Sequence, residues 1–249
     1  MEGYLQYSRG SLIRVDKGTV QEAPLTINLN GRELVRLLCT PEKLTSLVVG
    51  YLYLEGIIDN LGEITFLNVC PQDGVAEVRL SKEPVFPKRR VVTSGCGGGI
   101  TFNIDFEAEA IPNSNPLIYP DQLFKLMREL FSLAHHYHET RGIHISGLSD
   151  GNTILIAAED IGRHNTLDKL MGEALLKRLP TEGMVIFTSG RISSEMLLKA
   201  AKMRVPLIAS RTSPTGLALE LAEGLGMTVV GYLRGESFNI YTHPDRIIL

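Results

Sequence analysis

The chain opens on short runs of β-branched or alternating residues, and SLIRVDK, LTINLN and RELVRLL each predict a strand. The pattern then lengthens. In TPEKLTSLVVGYLYLEG, Thr40 stands as a cap, Pro41 at the first helical position and Gly56 beyond the last turn, the marks of a helix. ITFLNVC and VAEVRL predict two further strands around a PQDG turn. The basic, proline-interrupted KEPVFPKRR that follows marks a seam, dividing the chain into a strand-rich N-terminal subdomain over residues 1–90 and a second domain over residues 91–249.

The second domain begins with VVTSGCGGGITF, a short apolar strand running into a glycine-rich loop around one cysteine that favours neither helix nor regular strand. After the linker IPNSNPLIYP, Leu123, Leu126, Met127, Leu130, Ala134 and Tyr137 recur at helical spacing and predict one amphipathic helix stopped at Gly142. A hairpin, HISGLSDGNTILIAAED, is predicted about Asp150-Gly151. From HNTLDKLMGEALLKRL onward helices alternate with the strands MVIFT, VPLIA and MTVVGYL. Repeated strand–helix–strand units predict an α/β fold with a largely parallel sheet covered by helices.

Composition narrows the class. With 249 residues, 44% hydrophobic and 21% charged, the chain resembles an ordinary globular protein large enough to bury a core without metals or disulfides. The N-terminal segment has no apolar stretch behind a basic start, and no run approaches the length of a membrane span, so a cytoplasmic protein without membrane contact is expected. A net charge of −3 disfavours nucleic acid as a partner. Three widely spaced cysteines, Cys39, Cys70 and Cys96, are expected to be separate thiols.

In open α/β sheets, ligands gather beyond the carboxyl ends of the strands. Three loops there are unusual. Ser189, Gly190 and Arg191 precede a helix opened by Ser193 and Ser194, and Ser210, Arg211, Thr212 and Ser213 precede the next helix. Glu159, Asp160, Arg163, His164 and Asn165 form the third cluster. Each loop taken alone reads as helix caps and solvated side chains. Two such loops from adjacent strands, with a third beside them, favour an anionic, nucleotide-like ligand held by hydroxyls, arginines and helix N–H groups. No dinucleotide fingerprint and no P-loop motif is present.

Cys96 is the candidate nucleophile. Its glycine neighbours provide exposure and room, while backbone N–H groups and Lys88, Arg89 and Arg90 upstream provide charge that favours thiolate; the alternative is a glycine-rich turn with an incidental cysteine. Cys39 and Cys70 lie in apolar strand contexts and are expected to act as small hydrophobes. His135, His136 and His138 point around a helix axis rather than at one ion, so no metal is expected there. His144 and His243 are either hydrogen-bonded structural groups or proton carriers for a thiol site.

Six ordered blocks carry a resemblance to a known family: APLTINLNGRELVRLLCTPEKLTSLVVGYLYLEGII, TSGCG, TRGIH, AAEDIGRHNTLDKLMGEAL, FTSGRISSEMLLKAA and GYLRGESFNIYTHPDRI. They resemble the FdhD family of formate dehydrogenase accessory proteins. The resemblance implies a sulfurtransferase: Cys96 accepts sulfane sulfur from a cysteine desulfurase as a persulfide and passes it to Mo-bis(molybdopterin guanine dinucleotide), with formate dehydrogenase as the client. It implies a three-layer α/β/α domain similar to the cytidine deaminases, and cofactor contacts from Tyr232, Leu233, Arg234, Gly235, Glu236 and Ser237, with a homodimer preferred.

Two departures from the family pattern matter. Many members read C-G-x-C where this chain has Cys96-Gly97-Gly98-Gly99, which restricts transfer to a one-thiol mechanism, and Ser237 stands where a basic residue is common. The rival readings are a chaperone that binds and inserts the same cofactor without a covalent step, and a nucleotide-modifying enzyme of the deaminase-like fold. The zinc signature of the deaminases is absent, which disfavours the second.

Overall fold

The computed structural model describes residues 3–16, 18–83, 91–92, 100–101 and 117–249. An exposed hairpin opens the chain, β1 (Tyr4–Ser8) and β2 (Ser11–Val15), turned at Arg9 and Gly10, both at positive φ. Next come β3 (Ala23–Leu29), β4 (Arg32–Cys39), helix α1 (Leu44–Leu54), β5 (Ile64–Cys70) and β6 (Val75–Leu80). Asn30-Gly31, both at positive φ, make the tight β3–β4 turn that such dipeptides favour. The four strands form one sheet in the order β4-β3-β6-β5, and Leu25, Ile27, Val35, Leu37 and Val78 bury against Leu47, Val48, Tyr51 and Leu52 of α1.

Thr40 does not cap α1. The helix starts three residues later than its signature suggests, after Lys43 in the left-handed region with no side-chain cap. Thr40 is engaged elsewhere: its N–H donates to the Asp160 carboxylate at 3.1 Å, its hydroxyl accepts the Ile161 N–H at 3.2 Å, and its carbonyl accepts from Lys169 Nζ at 3.1 Å. A distant loop has outcompeted the local cap.

Beyond β7 (Val91–Val92) and β8 (Ile100–Thr101), a short antiparallel pair, lies α2 (Pro120–Ser132). The single helix expected to run to Gly142 is broken at Leu133, and α3 (His135–Thr140) restarts it. The cause is Glu159, whose carboxylate accepts the N–H groups of His136 and Tyr137 at 3.1 and 2.8 Å and so satisfies a second helix start.

The remaining elements are β9 (His144–Ser149), β10 (Ile154–Asp160), α4 (Arg163–Leu176), β11 (Val185–Thr188), α5 (Ser194–Lys202), β12 (Leu207–Ser210), α6 (Gly216–Leu225), β13 (Thr228–Arg234) and β14 (Ser237–Thr242). Six strands join in the order β10-β9-β11-β12-β13-β14. The largely parallel sheet expected from the alternating pattern is instead mixed, because only β11–β12 and β12–β13 run parallel, while the β9–β10 and β13–β14 hairpins and the β9–β11 pairing are antiparallel. Hairpins return the chain without a crossover, and the second of them, closed through β14, has no counterpart in the pattern reading.

Helices cover both faces of this sheet. Ile145, Val185, Phe187, Leu207 and Val230 bury against Leu123, Leu126 and Leu130 of α2, and Leu148, Ile156, Ile186, Ile208 and Val229 bury against α4, α5 and α6. Helix α1 crosses α4 at Gly50 and Gly172, so closely that either glycine's added methyl would meet the opposite backbone. No helix among the described residues is long and apolar enough to cross a membrane.

Candidate functional site

The topology gathers one edge of the six-stranded sheet. β10, β11, β12 and β13 end there and antiparallel β9 begins there, so the loop after β10, His144, Ser189–Arg191, Ser210–Ser213 and Tyr232–Gly235 follow one another along it. Backbone bonds stitch the loops together: Ile192 N–H donates to Ser213 O at 3.2 Å, Thr215 N–H to Ile192 O at 3.0 Å, and Tyr232 N–H to Thr212 O at 3.0 Å.

Within the loop after β10, three of the five polar residues are structural rather than available to a ligand. Asp160, fully buried, accepts from Lys169 Nζ at 2.6 Å, Gly162 N–H at 2.8 Å and Asn165 Nδ2 at 2.8 Å. Asn165 also donates to Leu38 O, and Glu159 caps α3. Lys169 further bonds the carbonyls of Thr40 and Glu159, which ties the N-terminal sheet to this loop. Arg163 and His164 stand at the start of α4, where His164 is itself paired with Glu195.

The hydroxyls of the next two loops mostly shape them. Ser189 Oγ accepts the Ile145 N–H at 3.0 Å, Ser210 Oγ donates to Gly190 O at 2.6 Å, and Thr212 N–H donates back to Ser210 Oγ at 2.9 Å. Ser193 and Thr215 cap α5 and α6. With the hydroxyls occupied, the cationic side chains face outward: Arg191 is exposed, and Arg211 lies with its guanidinium 4.8 Å from the Phe131 ring centre.

Arg211 belongs to a cleft of about 210 Å³ lined by Phe124, Arg128, Phe131, Leu233, Arg234 and Gly235. Arg234 Nε donates to Arg211 O at 2.7 Å, which joins the loop after β12 to the β13–β14 hairpin. Tyr232 holds φ at 52° beside a bulge, a costly conformation for a non-glycine residue, and Gly235 at φ 56° turns the hairpin tip. Glu236 and Ser237 complete the exposed tip. A cleft lined by three arginines together with aromatic and aliphatic side chains suits an anion attached to a planar ring.

Arg128 was missed in the sequence. Its signal is a Phe124-Arg128-Phe131 stripe at spacings of four and three on α2, which reads as part of an amphipathic face unless the strand ends across from it are known.

His144 and His164 flank the loop after β11. Burial, then Arg163, His164 and Arg191, push His144 down to about 4. His164, also shifted down by burial, pairs with Glu195 at 2.9 Å and contacts Ser193 Oγ at 3.2 Å. His243 approaches the Glu223 carbonyl at 3.1 Å, away from this edge.

Cys96, with Lys88, Arg89 and Arg90, lies outside the described residues. Cys39 is buried as expected, and burial pushes its thiol up to about 12, so it is an inert hydrophobe. Cys70 is half-buried, with Asn68 Nδ2 at 3.5 Å from its sulfur. No group of three or more His, Cys, Asp or Glu among the described residues is arranged to hold a metal.

A family model described as the FdhD/NarQ family matches residues 20–248. The chain belongs to that family. It is 40% identical to a protein of Staphylococcus haemolyticus (strain JCSC1435) named sulfur carrier protein FdhD, over 99% of this chain and 96% of that one. A protein of the same name from Bacillus pumilus (strain SAFR-032) is 41% identical over 97% of this chain and 95% of its own length. Among solved structures, that of a proposed formate dehydrogenase accessory protein from Desulfotalea psychrophila superposes with a TM-score of 0.82 at 30% identity, covering 100% of this chain and 98% of that one. The residues matched by the family model include those of both larger sheets.

Proposed function

We propose that this chain is a sulfur carrier serving formate dehydrogenase: Cys96 takes sulfane sulfur from a cysteine desulfurase and delivers it to the molybdenum centre of Mo-bis(molybdopterin guanine dinucleotide), which is its substrate. The observation that carries the reading is the cleft lined by Arg128, Arg211 and Arg234 together with Phe124 and Phe131. A nucleotide arm needs this combination of a stacking floor and fixed cations. End-to-end likeness to relatives named sulfur carriers supports the covalent half.

In the loading step the Cys96 thiolate attacks the outer sulfur of the donor's persulfide. One sulfur–sulfur bond forms as another breaks, the donor cysteine leaves as thiolate, and the step carries no net oxidation. One thiol suffices, so the Gly99 found where a second cysteine is common does not disable it. Arg191, Arg211 and Arg234 hold the recipient's phosphates, with the Ser189, Gly190, Ser210, Thr212 and Ser213 backbone shaping the loops and Tyr232 to Ser237 closing over the nucleotide. The same reading places the protein in the cytoplasm as a homodimer, treats residues 1–90 and 91–249 as two domains, and takes the helix-covered sheet as a cytidine-deaminase-like three-layer domain.

The test is complementation in cells lacking the protein. Cys96→Ala abolishes formate dehydrogenase activity while leaving the folded protein's affinity for GDP intact. Activity retained in Cys96→Ala overturns the sulfur-transfer reading in favour of a cofactor chaperone.

A further inference from the structure

His144 opens β9 beside the end of β11. Ser189 Oγ accepts the Ile145 N–H and lies 3.4 Å from His144 Nδ1, where the hydroxyl hydrogen can be donated to the ring. In the tautomer in which Nδ1 accepts from Ser189, the neutral ring carries its hydrogen on Nε2. A β-carbon at Gly190 would stand 3.3 Å from Nδ1 and 3.1 Å from Arg163 Cβ, so the glycine lets both side chains lie against the turn.

The charged and titratable neighbours come from three elements. Helix α4 supplies Arg163 and His164, and the loop after β11 supplies Arg191, while Glu195 of α5 is engaged with His164. In this setting the imidazole is neutral at physiological pH. A histidine kept neutral by burial and by the field of two guanidinium groups gives the fold no ion pair. For an incoming anion, by contrast, it is one more hydrogen-bond donor in a site of positive charge, already in the required protonation state.

We propose that His144 is a ligand-binding residue that donates its Nε2–H to a phosphate-type oxyanion of the recipient, in a station shared with Arg191 and next along the sheet edge to the Arg211–Arg234 cleft. The inference rests on the reading that this edge binds the nucleotide-bearing recipient. A neutral donor here fixes direction as well as position, because an imidazole N–H donates only close to the ring plane, whereas guanidinium charge tolerates many directions.

GDP is the probe, with binding measured by calorimetry on the full chain. Wild type binds; His144→Ala binds about tenfold or more weakly, and His144→Gln, which keeps a donor near the same place, recovers most of the loss. The imidazole nitrogen resonances of wild-type His144 report an Nε2–H tautomer unchanged between about pH 5.5 and about pH 8, and shift when GDP is added. Equal affinity of His144→Ala and wild type, while Arg211→Ala is weakened, overturns this inference alone. Titration of His144 inside that pH window overturns it as well. Wild type that does not bind GDP overturns the recipient reading and this inference together.

Discussion

Substituting alanine for Gly50 tests how the N-terminal sheet is coupled to the site-bearing sheet. The added methyl would lie 1.8 Å from the Asp168 carbonyl oxygen, 2.7 Å from its carbon and 2.8 Å from Gly172 N, and these are backbone atoms of α4 that cannot rotate away. The helices must therefore part. Separation also strains the buried set in which Lys199 Nζ meets Asp168 at 2.5 Å and Glu55 at 3.3 Å. Overpacking of this kind costs about 3 kcal/mol, the upper part of the usual range, because no side chain can absorb it. In a chain of this size that lowers the thermal midpoint by roughly 6 to 12 °C. Gly216→Ala is the control: it opens α6, nothing lies within 4 Å of its added methyl, and the change should be neutral or stabilising by up to about 1 kcal/mol. Urea unfolding followed by circular dichroism measures both. If Gly50→Ala unfolds within about 0.5 kcal/mol of wild type, the close crossing does not hold the two sheets together as described.

Arg211→Ala and Arg191→Ala should each weaken GDP binding by about 1 to 3 kcal/mol, read by calorimetry, and unchanged affinity in both would put the phosphates elsewhere. Burial raises Asp168 to about 6 against the pull of Lys199, so the folded state holds a proton that the unfolded chain releases near the ordinary carboxylate value. Stability on this account falls by roughly 2 to 3 kcal/mol as pH rises from about 4 to about 6, and the slope should flatten in Asp168→Asn; an unchanged slope would assign the proton to another group. Cys39, held as thiol by burial, should stay unmodified by iodoacetamide at neutral pH in the folded chain and react only in denaturant, and peptide mass mapping would expose the error if it reacts natively.

What was legible in the sequence was local. Caps such as Ser193, the Asp150-Gly151 hairpin and the apolar runs of β11 and β12 read correctly because each is decided by residues within a few positions. Thr40 failed as a cap, and the helix through Leu133 failed to continue, because Asp160 and Glu159 reach both from far along the chain. Sheet direction failed for a related reason: a strand followed by a tight hairpin and one followed by a helix look alike until the return path is known. At the candidate site, loops at Arg191 and Arg211 stood out by their hydroxyl and arginine content. Arg128 did not, because only the fold brings α2 across from Arg211 and Arg234.

The central claim is covalent. Incubated with a cysteine desulfurase and cysteine, the intact wild-type chain should gain the mass of one sulfur atom, lost on reduction and absent in Cys96→Ala, while Cys39→Ala and Cys70→Ala keep it. A wild-type chain that gains no sulfur, or that keeps the adduct when Cys96 is replaced, would contradict the account.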